Sequence, residues 1–148
     1  MRYQYKFEKI LTIKEKEKND AFTRYNESRK SFEEVAEKLY KLLKKKEDLE
    51  AFQKDKLAAG LPVQEIRHHQ QFMENLDRII DHYQKAVIEA RSKMEFLHGK
   101  LLEHNMEVKK FEKIKEKDFQ RFLDTRREDD NRNMDEISIQ QFLGRENR

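Results

Sequence analysis

The chain has no cysteine and no tryptophan, a single proline and only three glycines among 148 residues. Without cysteine there are no disulfides and no thiolate chemistry. No apolar run approaches the roughly 20 residues that a membrane-spanning helix needs. The amino-terminal stretch MRYQYKFEKILTIKEKEK lacks the apolar core of a signal peptide, so the reading is of a cytoplasmic protein. A strong bias of charge is also missing. The net charge of +3 is small beside 33 basic and 30 acidic residues. The bases alternate with acids and form no patch, which gives no case for nucleic acid.

What is present is charge itself: 43% of residues are charged and 36% are hydrophobic. A compact globule needs a larger apolar share. Abundant Lys, Glu and Leu with so little Gly and Pro points to long helices or a coiled coil. Disorder shares the high charge and low hydropathy, so periodicity has to separate the two.

A first ladder runs Phe7, Leu11, Lys14, Lys18, Ala21, Tyr25, Ser28, Phe32, Val35, Leu39, Leu42, Lys46, Leu49, Gln53. Nine of these fourteen are apolar, at alternating spacings of four and three. That is the heptad seam of a coiled coil. A second ladder runs in its own frame: Ile66, His69, Met73, Leu76, Ile80, Tyr83, Val87, Ala90, Met94, Leu97, Leu101, His104, Val108, Phe111. Twelve of these fourteen are apolar. A strict 3.5-residue period over so many heptads implies a left-handed supercoil.

Between the ladders lies AAGLP, residues 58–62. Gly60 can adopt a left-handed backbone and close a helix. Pro62 suits the first turn of a helix and not its middle. A stop followed at once by a start predicts a hairpin. An antiparallel register with residue numbers summing to 118 or 119 pairs Phe7 with Phe111, Leu11 with Val108 and Lys14 with His104. It also pairs Ser28 with Ala90 and Leu42 with Leu76. The midpoint of that register is Ala59 or Gly60, where the turn signal independently sits. Two chains zipped in parallel would leave the break at Gly60–Pro62 without a role.

The fold class expected is therefore all-α: a long antiparallel two-helix coiled coil, monomeric, forming one domain over 1–148. Helix one is expected over about 5–57, the turn over 58–62 and helix two over about 63–128. A flexible tail is expected over about 129–148. In the register everything past about Lys117 has no partner. Yet DFQRFL carries Phe119, Phe122 and Leu123 at helical spacing.

Little catalytic chemistry is visible. His68 and His69 are adjacent and diverge on a helix, and His98 and His104 lack a ligand three or four residues away. His69 and His104 fall on the seam. No HExxH, P-loop, GxSxG or glycine-rich phosphate loop occurs. A two-helix hairpin also lacks a catalytic-sized concavity. No enzyme, metal or cofactor is expected. Off the seam, Phe72, Ile79, Tyr40 and Leu43 widen the apolar strip near the turn. They either broaden the helix packing or form an exposed partner site.

The stretches YQYKFEKIL, EVAEKLY (34–40), VQEIRHHQQFMENLDRIIDHYQK (63–85), EVKKFEK (107–113) and MDEISIQQF (134–142) together resemble the flagellar FliJ family, over nearly the whole length. The likeness is greatest to the family's Gram-positive, Bacillus-like branch. The resemblance implies an antiparallel two-helix coiled coil similar to the central stalk of rotary ATPases. It implies a soluble component of the flagellar type III export apparatus. Such a component binds the hexameric export ATPase and favours its ring assembly. It also contacts the cytoplasmic domain of the export gate and can escort free export chaperones. Through these partners it would sit peripherally at the membrane. The gate-binding surface carried over from the family comprises Leu42, Phe72, Leu76, Ile79 and Tyr83. The overhanging Phe119, Phe122 and Leu123 would face the ATPase ring. The other function class is an unrelated coiled-coil spacer or holdase chaperone, which requires no specific hexameric partner.

Overall fold

The computed structural model describes residues 2–146. It contains two helices, α1 (Glu8–Ala59) and α2 (Val63–Glu146), and no strand among the described residues. They pack antiparallel as a helical hairpin. Every rung of both heptad ladders is buried or half-buried, while most positions between the rungs are exposed. The period of the sequence is thus the period of burial.

The reversal is built as the sequence predicts. Gly60 has φ of +90°, and its N–H donates to the carbonyl of Leu57 at 3.2 Å. The Pro62 carbonyl accepts from Glu65 and Ile66 at 3.1 and 3.2 Å, opening α2. Proline itself has no N–H to leave unsatisfied there.

The chain divides into two compact units. One is Asn19–Leu102 and contains the turn. Ala21, Ser28, Leu76 and Ile80 are its most buried rungs. Ser28 and Ala90 line a shared hollow, flanked by Glu27 and Lys93 of opposite charge. The Ser28 hydroxyl donates to the carbonyl of Tyr25 at 2.7 Å, so its burial leaves no orphaned donor. Lys46, a cationic rung, turns outward to Asp77 at 2.7 Å. That hydrogen bond, set against the cost of partial burial, raises its pKa. The enclosed Nε2 of His69 has no hydrogen-bond partner.

The other unit is Met1–Lys18 with Glu103–Arg148. Its core is Tyr5, Leu11 and Val108, with Tyr3, Phe7 and Phe111 packed against it. Lys14 and His104 share the Glu17 carboxylate, at 3.6 and 3.7 Å. Two polar rungs are thereby gathered round one anion instead of facing apolar neighbours.

Two features differ from the sequence expectation. Residues 2–7 are not helical. They run beside α2 and reach beyond Lys117, where the helical register left no partner. The reason is geometric: extended chain advances about 3.3 Å per residue and helix about 1.5 Å. The second feature is the tail, expected flexible over about 129–148. Its described part is helical to Glu146 and exposed throughout, and 147–148 lie outside the described residues.

Nothing lies within 4 Å of a Cβ placed on Gly60, so the constraint there is backbone alone. Gly60→Ala is expected to cost about 1–2 kcal/mol, the strain of a left-handed L-residue. Urea unfolding followed by circular dichroism should show this with native helicity unchanged.

Candidate partner-binding surfaces

The unit containing the turn carries apolar side chains just outside its seam. Phe72 and Ile79 are each 46% exposed, one heptad apart on α2. Tyr40 and Leu43 are exposed on α1. The Nζ of Lys45 lies 5.5 Å from the centroid of the Phe72 ring, so a cation covers an aromatic face that water would otherwise wet. Of the residues assigned by resemblance to the gate-binding surface, Phe72 and Ile79 stand in solvent. Leu42 and Tyr83 are half-buried rungs, and Leu76 is 4% exposed. The five therefore divide into two outward flanking side chains and three seam side chains that hold them in place. Exposed apolar area beside a rigid seam is the usual form of a docking surface.

The second surface lies in the unit formed by the two chain ends. Phe119 is partly exposed, and Phe122 and Leu123 are half-buried. Tyr3 stands over both phenylalanines, with ring centroids 5.0 Å from Phe119 and 5.3 Å from Phe122. Its hydroxyl donates to a carboxylate oxygen of Asp118 at 3.1 Å and approaches the carbonyl of Lys115 at 3.4 Å. Tyr5 donates to the carbonyl of Phe111 at 3.2 Å. Lys115 bonds Glu8 at 3.0 Å and lies over the Tyr5 ring. Burial first, then the hydrogen bond to Asp118, raises the Tyr3 pKa. Burial first, then the charges of Asp118 and Glu8, raises that of Tyr5 against the opposing Lys115.

Tyr3 and Tyr5 did not emerge as contact residues from the heptad pattern. The available signal was YQYKF, aromatic at every second position. Two extended residues span about 6.6 Å, close to the 5.4 Å of one helical turn. The two phenols thus meet carbonyls four residues apart on α2. Among the described residues, no group of three or more His, Asp or Glu side chains is placed to hold a metal ion. Among the described residues, no helix is long and apolar enough to cross a membrane.

What the fold defines is a two-helix coiled-coil protein whose offered surfaces are apolar flanks on a regular seam. The family model described as Flagellar FliJ protein matches residues 3–147. A Flagellar FliJ protein of Bacillus subtilis (strain 168) is 48% identical over 143 residues, covering 97% of each chain. The chain belongs to the flagellar FliJ family, and that membership supports a role as a flagellar export component. No solved structure matches it.

Burial separates the two kinds of surface residue. Leu76→Ala is expected to cost about 2–5 kcal/mol of folding stability. Phe72→Ala should cost about 1 kcal/mol or less, since only an exposed cation–π contact goes. Thermal melts of the two variants check the contrast.

A pH effect follows from the phenols. Their raised pKa values favour the docked segment while both are protonated. That contribution is full below about pH 10, the ordinary tyrosine value, and is lost as pH rises through the raised folded values. The difference in melting temperature between the wild type and Tyr3→Phe/Tyr5→Phe should therefore narrow as the pH is taken above 10.

Proposed function

We propose that this chain is a non-enzymatic stalk and adaptor of the flagellar type III export apparatus. It binds the export ATPase hexamer, promotes assembly of the ring and links it to the cytoplasmic domain of the export gate. Free export chaperones are carried by the same molecule. It acts as a cytoplasmic monomer, held peripherally at the membrane by its partners. One observation carries the reading most: in a member of this family, large apolar side chains stand in solvent immediately beside an otherwise regular seam. Phe72 and Ile79 contribute little to closing the hairpin, and a partner gives their exposure a use.

The gate contact is assigned to Phe72 and Ile79, backed by Leu42, Leu76 and Tyr83. The ring contact is assigned to Phe119, Phe122 and Leu123. These are two separate surfaces, one near the turn in sequence and one on the distal part of α2. Each can be removed without the other.

Phe72→Ala should weaken binding to the gate's cytoplasmic domain by about thirtyfold or more, the effect of losing an aromatic hot spot of 2 kcal/mol. Binding to the ATPase ring should be unchanged. Two separate titrations with the purified partners decide this. Equal loss of both would undo the division into two surfaces. Failure of either partner to bind the wild type would remove the corresponding half of the proposal.

A further inference from the structure

The segment before α1 is held to α2 in an unusual way. Residues 2–7 have no secondary structure of their own beyond a turn. They are fastened to α2 through two tyrosines. Each phenol donates to a backbone carbonyl or a carboxylate of α2, and the Tyr3 ring rests on Phe119 and Phe122. The α2 carbonyls of Phe111 and Lys115 lie within the helix, whose backbone is bonded along its own length, so α2 does not need these phenols to be complete.

The cover is also thin. Phe119 remains 39% exposed beneath it. Tyr3 and Gln4, with Arg121 and Thr125, line a recess that opens beside the stacked rings. The residues before Tyr5 must lose backbone entropy to stay docked, and the hydrogen bond of the Tyr3 hydroxyl, together with its partly exposed ring contacts, offsets that only modestly. Tyr5 is buried in the core and Phe7 is a seam rung, whereas Arg2 and Gln4 are exposed and Tyr3 is half-buried. The part before Tyr5 therefore opens more readily than the seam, as short, poorly buried elements do.

We propose that residues 2–4 form a releasable strap over the Phe119–Phe122 face, and that the partner binding this face does so by displacing Tyr3. The inference rests on the assignment of that face to the ATPase ring and adds its regulation. The occupant replacing Tyr3 is an apolar or aromatic side chain of the ring. It must fill the position of a phenol ring packed on two phenylalanines. Closing the strap lowers the apparent affinity of the face; opening it restores the full affinity, because only the open fraction of molecules can bind.

The test uses the full chain and the purified ATPase ring. Tyr3→Ala removes the ring and hydroxyl that fasten the strap and leaves the core residue Tyr5 in place. Backbone hydrogen exchange over 111–122 should rise, and affinity for the ring should increase about tenfold if the strap is closed in about nine molecules of ten. A second variant, Gln4→Cys/Arg121→Cys, can be bridged by a short bis-maleimide, since the chain has no other thiol. Bridging should lower ring affinity at least about tenfold relative to the same variant unbridged. Hydrogen exchange unchanged in the Tyr3→Ala variant would overturn the strap itself. Exchange that rises while ring affinity stays level or falls would overturn competition and make Tyr3 part of the binding surface. Unaltered affinity on bridging would do the same. A ring that binds neither wild type nor either variant would instead overturn the stalk assignment, and this inference with it.

Discussion

A seam between only two helices cannot enclose any side chain from all sides, and the rest of the molecule follows from that limit. Val108, the most buried of the core, still keeps 2% of its surface, and no side chain among the described residues falls below that. No single rung can dominate the packing energy. Cohesion is distributed over two long ladders of half-buried residues, each contributing in proportion to the apolar area it removes from water. Polar rungs reach solvent, an anion or a backbone carbonyl, except that the enclosed Nε2 of His69 has no partner. Lys46 turns out to Asp77, while Lys14 and His104 meet at Glu17.

The same limit keeps the flanks available. In a bundle of three or four helices, Phe72 and Ile79 would lie against a further helix. Here they stand in solvent at the edge of the seam, while Leu76 between them is anchored within it. A partner meets apolar side chains whose backbone is already rigid, so little order has to be gained on binding. Fold and proposed function are thus two consequences of one arrangement.

The unequal lengths of the helices raise a second problem. α2 has 84 residues and α1 has 52. Within the unit formed by the chain ends, the extended segment at Tyr3 and Tyr5 covers part of the surplus, because extended chain reaches further per residue than helix. From Asp124 to Glu146 α2 is exposed on every side. Helix there rests on local propensity alone, which is marginal in water without a packed face.

The order of residues alone determined the two helices, their seam and their reversal. Heptad spacing is a local property, and it was legible down to the rung: Leu76 and Ile80 were placed inward and Phe72 and Ile79 on the flank. Gly60 and Pro62 marked the turn because backbone geometry restricts where those two residues fit. Family resemblance, carried by such stretches as HHQQF and MDEISIQQF, supplied the flagellar assignment that no period contains. Tertiary structure decided what depends on chain path between distant residues. It set Tyr3 over Phe119 and Phe122, and Glu8 on Lys115. It also divided the five residues proposed for the gate contact between solvent and seam. No period of seven announces a segment that packs in extended form, since its contacts repeat every two residues against a helix that repeats every 3.6.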